Sequence, residues 1–182
     1  QGQHQQAIDT LQKALVVSRQ LKDRELEGNV LHELGFNYNK IGQRQKALEY
    51  YNQALPIRRE VGDRAGVAAT LNNIGLVYGN IGQRQKALDY YNQALPIIRK
   101  VGDRAGEAST LNNIGLVYHS IGQPQKALEY YNQALPIRRA VGDRSGLATT
   151  LNNIGGVYHN IGQPQKALEY FNQALPIYKA VG

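Results

Sequence analysis

Residues 71–101, LNNIGLVYGNIGQRQKALDYYNQALPIIRKV, decide the fold, because the same string returns with substitutions from residues 31, 111 and 151. IGQ recurs at Ile41, Ile81, Ile121 and Ile161, and QALPI at Gln53, Gln93, Gln133 and Gln173, so the period is 40 residues without slippage. Within one period the punctuation marks two helices. Gly62-Asp63-Arg64, with copies at 102–104 and 142–144, sets a Gly where a helix can end left-handed, followed by an Asp that can cap the next one. The second break is Ile-Gly-Gln, where Pro124 and Pro164 follow Gly122 and Gly162 by two residues and suit a first helical turn. The spacing predicts helix A over Arg64 to Asn80 and helix B over Gln83 to Val101.

The apolar spacing agrees with that division. Helix B carries Ala87, Leu88, Tyr91, Ala94 and Leu95, the i, i+1, i+4, i+7, i+8 pattern of one buried face, and helix A carries Leu71, Ile74, Gly75 and Tyr78 likewise. A Gly inside a helix costs about 1 kcal/mol relative to Ala, so its return at Gly35, Gly75, Gly115 and Gly155 predicts a close helix crossing. Pro56, Pro96, Pro136 and Pro176 fall inside helix B, where each removes a backbone hydrogen bond and should bend the helix.

Working outward, the opening segment joins the register in degraded form: Gly2 aligns with Gly42, Ala7 with Ala47, Ala14 with Ala54, and Asp23-Arg24 with Asp63-Arg64. The expectation is an all-α chain of about nine helices, one array over 1–182. Residues 1–22 supply the last helix of a truncated repeat, and 23–62, 63–102, 103–142 and 143–182 are full repeats.

Composition narrows the function classes. The 182 residues include no Cys, Met or Trp, which removes disulfides, thiolate metal sites and Cys nucleophiles together. No apolar run reaches the roughly 20 residues of a membrane span, and the polar start from Gln1 is unlike a signal peptide, so a cytoplasmic protein is expected. The missing initiator Met and the opening at Gln1 point to a piece of a longer protein. A net charge of +7 hints at acidic partners, but Lys46, Lys86, Lys126 and Lys166, or Arg64, Arg104 and Arg144, recur one per repeat instead of clustering. The Arg after each Asp is a candidate tie between adjacent repeats. No dense basic run marks a nucleic-acid surface.

Leu71, Ile74, Gly75, Tyr78, Gly82, Ala87, Tyr91 and Ala94 together resemble the signature of the tetratricopeptide repeat family, with Leu71 where many members carry Trp. The period is longer than the family's usual one of about 34 residues, and the Pro sits inside helix B instead of closing it. The longer repeat, with LNNIG in helix A and GDR between repeats, is similar to the arrays of kinesin light chains and of the Pins/LGN adaptors. It also resembles arrays in bacterial, especially cyanobacterial, signalling proteins. The resemblance implies an α-solenoid, a right-handed superhelix of antiparallel pairs, with helix A lining a concave groove. It also implies a scaffold that binds an extended or helical peptide of a partner protein.

On that implied arrangement, the groove candidates stand in columns. Asn72, Asn112 and Asn152 form one and Asn73, Asn113 and Asn153 its neighbour; an amide both donates and accepts, so such a ladder can bond an extended peptide backbone. Two readings of the second column stay open, ligand contact and bridging between helices, whereas the first column is expected to face solvent or ligand. In the repeat before, the pair is His32-Glu33. Further candidates are Leu76 and Leu116 with Gly156, Gly79 with His119 and His159, and Asn80 and Asn160 with Ser120. His119 and His159 share a register, but no carboxylate or third His joins them, so no metal site is expected. No phosphate loop, HExxH or paired nucleophile is present, so neither catalysis nor a cofactor is expected. The expectation at the two ends, an incomplete repeat at the start and Val181-Gly182 at the close, is apolar surface that favours end-to-end self-association or a spacer role.

Overall fold

The computed structural model describes residues 2–180 in full and residue 181 by its backbone; Gln1 and Gly182, at which the sequence reading opens and closes the stack, lie outside the described residues. Those residues form nine helices and no strand: α1 (Gly2–Leu21), α2 (Arg24–Lys40), α3 (Arg44–Glu60), α4 (Arg64–Asn80), α5 (Arg84–Val101), α6 (Arg104–Ser120), α7 (Pro124–Ala140), α8 (Arg144–Asn160) and α9 (Pro164–Val181). Helix A of the second full repeat spans the expected residues, and helix B begins one residue later than expected.

The caps explain these limits. Asp23, Asp63, Asp103 and Asp143 each accept a hydrogen bond from the backbone N–H three residues on, at 2.7–2.9 Å, satisfying a donor that the helix leaves open. The turn before each Asp needs a left-handed residue. Gly62, Gly102 and Gly142 supply it with φ of 74°, 76° and 69°, and Lys22 takes φ 55° in the degraded first copy. Helices α3 and α7 run on through Pro56 and Pro136.

The chain divides into two compact units, Gln1–Ile97 and Ile98–Gly182. In the first, α2 packs closely on α3, α1 lies against α2, α4 lies against α3, and α2 also touches α4. Gly35 and Gly75 show why the mid-helix Gly recurs. A Cβ on Gly35 would lie 2.7 Å from the Tyr51 ring, and one on Gly75 2.8 Å from the Tyr91 ring. The ring lies against the bare backbone, which closes the helix pair more tightly than Ala would allow. Tyr51, Leu31, Leu34, Leu71 and Ile74 are fully buried around these crossings.

In the second unit the densest pairs are α6 with α7 and α8 with α9, with α7 against α8 and a lighter α6–α8 contact. Gly115 meets the Tyr131 ring and Gly155 the Phe171 ring, each at 2.6 Å from an added Cβ. Tyr131, Leu135, Leu151, Ile154 and Val157 form its core.

Charge is buried at the junctions in an alternating scheme that the 40-residue period conceals. Where one repeat buries Glu27, the next has Val67, and Glu107 is again followed by Leu147. Ser18, Arg58, Ile98 and Arg138 alternate in the opposite sense. Glu27 accepts from Arg19 at 2.9 Å and Glu107 from Arg99 at 2.8 Å. These pairs join one repeat to the next. The Arg after the capping Asp works inside its own repeat, Arg24 pairing with Glu27 and Glu60 and Arg104 with Glu107.

Candidate functional site

The first helices of successive repeats lie side by side, α2 with α4 in one unit and α6 with α8 in the other, so residues one period apart meet across a junction. In the second unit the meeting point is Asn112, which is buried. Its Oδ1 accepts from the Thr150 hydroxyl at 3.2 Å and from Asn153 Nδ2 at 3.1 Å. In the first unit His32 holds the same register. Thr70 donates its one proton to the Gly66 carbonyl at 2.7 Å, so at 2.9 Å its oxygen can only accept from His32 Nδ1. With the imidazole proton on Nδ1, Nε2 accepts from Asn73 Nδ2 at 3.3 Å.

His32 is neutral in this setting. Burial pushes its pKa down to about 4, with the nearby Arg58 charge acting in the same direction and Asp63 opposing. Its ring also lies tilted against Tyr51, 5.3 Å between centroids.

Asn72, Asn73 and Leu76 are half-buried and Asn80 is exposed; Asn113 is half-buried and Leu116 exposed; Asn152 is exposed and Asn153 half-buried. The exposure expected of the first Asn column holds at Asn152 and not at Asn112, which the Thr150–Asn153 pair covers. His119 is half-buried and its Nε2 accepts from Asn160 Nδ2 at 2.8 Å, while His159 is exposed. Among the described residues no group of three or more His, Cys, Asp or Glu could hold a metal ion, and no helix is long and apolar enough to cross a membrane.

Three features escaped the sequence reading. Phe36 extends the Leu76 column, is 36% exposed, and has the Lys40 ammonium 5.1 Å above its ring. Thr70, Thr110 and Thr150 are fully buried; each stands three residues before a groove Asn, a spacing that puts both on one helix face and could have exposed the motif. The third is a repeated stack in which Tyr38 and Tyr50, Tyr78 and Tyr90, Tyr118 and Tyr130, and Tyr158 and Tyr170 lie nearly parallel at 5.2–5.5 Å. Lys46, Lys86, Lys126 and Lys166 cap these stacks at 5.2–5.4 Å. The basic column that recurs once per repeat thus packs on aromatic faces. Beside the first stack, Arg19, Lys46, Glu49 and Gln53 line an open cavity of about 380 Å³ between α1 and α3.

Paired helices, a bare-backbone crossing in each pair, and amides bonded across the junction define a helical repeat protein. The tetratricopeptide repeat model matches residues 1–60, 66–140 and 137–180, and the chain belongs to that family. BtubC (BKLC) from P. vanneervenii is similar over 99% of this chain and 75% of its own, at 29% identity and a TM-score of 0.88. The nearly identical TPR-like repeats of a kinesin light chain candidate from Podosopora anserina align over 99% of this chain and 89% of theirs, with 22% identity and a TM-score of 0.77. A Rap protein crystallised with Competence and Sporulation Factor aligns over 97% of this chain and half of its own, with 20% identity and a TM-score of 0.84. These last two show a shared fold. No curated protein matches the chain in sequence. Tetratricopeptide repeats generally mediate protein–protein interaction.

Proposed function

We propose that the chain is a scaffold that binds an extended peptide of a partner protein along the first helices of its repeats, α2 with α4 in one unit and α6 with α8 in the other. The observation that carries this reading is the pair of anchored amides, Asn73 and Asn153, each half-buried and each tied by its Nδ2 to the preceding repeat. A side-chain amide held in place can bond a peptide backbone whatever the peptide's side chains, and rigid anchoring lowers the ordering cost of binding. Leu76 and Leu116 add apolar contact beside the amides, and α8 offers Gly156 at that place, where a ligand backbone can approach closely. The Rap protein's complex with a factor is a precedent on the same fold. Peptide display against the full chain would identify a binder. The triple variant N73A/N113A/N153A, with its helicity confirmed by circular dichroism, should then bind it at least tenfold more weakly. Unchanged affinity would overturn the reading.

A second reading, self-association, is favoured by α9. Leu168 and Leu175 there are 59% and 50% exposed, whereas their repeat-mates Leu48 and Leu55 are buried. Light scattering should show mass rising with concentration, and a constant monomer mass would remove this reading.

A further inference from the structure

We infer that His32 is a positioning residue that sets the polarity of the binding face in the first unit: it holds Asn73 with the amide nitrogen turned to the neighbouring repeat and the carbonyl oxygen turned to the ligand. Resting on the peptide-binding reading, the inference specifies what a ligand must bring to that position, a hydrogen-bond donor such as a backbone N–H.

A hydroxyl has one proton, and Thr70 gives its own to the Gly66 carbonyl. The contact between Thr70 Oγ1 and His32 Nδ1 then requires the proton on Nδ1. A neutral imidazole with its proton on Nδ1 has only a lone pair at Nε2, and of the two ends of an amide only the nitrogen can satisfy it. The Tyr51 hydroxyl is buried beside the same amide and meets no partner within hydrogen-bond geometry; Asn73 nonetheless draws the phenol's pKa down against the larger upward effect of burial, the sign expected of an amide nitrogen near the oxygen. Three donors in series, Asn73 to His32, His32 to Thr70 and Thr70 to Gly66, all point the same way, and reversing the amide would break the first link.

The second unit reaches the same polarity with different chemistry. Asn112 Oδ1 also takes the Nδ2 of its neighbour, Asn153. Two unlike residues in one register, His32 and Asn112, therefore both turn the adjacent amide nitrogen away from the ligand side. Shared outcome from unlike side chains argues that the acceptor at their position is what matters, and that His32→Asn will substitute for it.

Nitrogen-15 correlation spectra of the histidine rings in the full chain test the positioning directly, without a ligand. His32 should show a protonated-type Nδ1 and an unprotonated-type Nε2, the less common tautomer, with a scalar coupling across the hydrogen bond to Asn73 Nδ2. An Nε2-protonated ring would overturn the assignment. The Asn73 amide protons should stay protected in His32→Asn and lose protection in His32→Leu; equal protection in both variants would also overturn it. The donor requirement is read with two small amides, N-methylacetamide, which can donate, and N,N-dimethylacetamide, which cannot. The Asn73 side-chain carbonyl resonance should shift with the first and stay fixed with the second. Equal shifts would overturn the donor requirement. No shift with either, on a ring of the expected tautomer, would support His32 as the positioning residue while removing the peptide-binding reading.

Discussion

The α2–α4 junction and the α6–α8 junction make the same connection with different protons. At α6–α8, Asn112 accepts from both Thr150 and Asn153 through one carbonyl oxygen, a neutral arrangement that no change of pH between 4 and 8 can touch. At α2–α4, an imidazole stands in that place and must remain neutral to accept from Asn73. The fold therefore tolerates two solutions to one hydrogen-bonding problem, and only one of them carries a titratable group.

Acid should separate the two junctions. The folded pKa of His32, about 4, lies below the ordinary value of 6.5, so the unfolded chain takes up the proton first as pH falls. The stabilisation is complete above pH 6.5, is lost progressively from 6.5 to 4, and changes no further below that. The full loss amounts to about 3 kcal/mol, and about 2 kcal/mol of it falls between pH 7 and 5. Native-state hydrogen exchange resolved by segment should show α2–α4 losing protection over this window while α6–α8 holds. His32→Asn should abolish the difference. Equal loss in both units would mean that His32 is not the source.

The bare-backbone crossings should respond alike in the two units. Gly35→Ala and Gly115→Ala each drive a Cβ into a buried tyrosine ring, at 2.7 and 2.6 Å. Overpacking of this kind costs about 1–3 kcal/mol, and it must outweigh the gain of about 1 kcal/mol in helix propensity. Both variants should lower the urea midpoint by similar amounts. A stabilised Gly115→Ala protein would show that the Tyr131 ring can slide aside in one unit only.

These contrasts mark what could be read from the sequence. The helix limits were legible because Asp63, Gly62 and Pro124 act locally, through a cap, a φ value and a first-turn constraint. The Gly75–Tyr91 crossing was legible because a costly residue returned in every period. The direction of the Asn columns was not, because whether Asn112 faces a ligand or the next repeat depends on Thr150 and Asn153, 38 and 41 residues away. The Lys–Tyr–Tyr stacks were hidden for a related reason. Lys86, Tyr78 and Tyr90 lie on two helices, and each alone reads as ordinary surface or core. Nor did a 40-residue period reveal the 80-residue alternation of Glu27 and Glu107 with Val67 and Leu147.

The buried arginines offer a finer contrast. Arg58 donates to Asn29 Oδ1 at 3.0 Å and pairs with Asp63 at 3.6 Å, whereas Arg138 pairs with Asp143 and keeps a buried Nε without a partner. Replacing a buried ion pair with packed apolar atoms is often neutral or favourable. Asp143 would not be stranded, because it is a third exposed and still caps the Gly146 N–H. Arg138→Met should therefore leave stability unchanged or raise it by about 1 kcal/mol, and Arg58→Met should gain less, because it also gives up the hydrogen bond to Asn29, an exposed residue whose oxygen water then solvates. Urea titrations should place the Arg138→Met midpoint shift above that of Arg58→Met.

The smallest expected effect concerns a hydroxyl. Tyr131 is fully buried on Gly115, and its oxygen has no hydrogen-bond partner. Burial without a partner is also what pushes its phenol pKa upward. One repeat later the same crossing is made by Phe171 against Gly155, at the same 2.6 Å spacing, so the ring alone suffices to close a helix pair. Tyr131→Phe then removes a desolvated polar atom and leaves every ring contact in place. It should stabilise the second unit by up to about 1 kcal/mol, the lower part of the range for an unsatisfied buried group. A loss of stability in the same titration would place a water on the hydroxyl and make Tyr131 a polar link that Phe171 lacks. A gain would mean that the aromatic face, and not its hydroxyl, is what the Gly crossing requires.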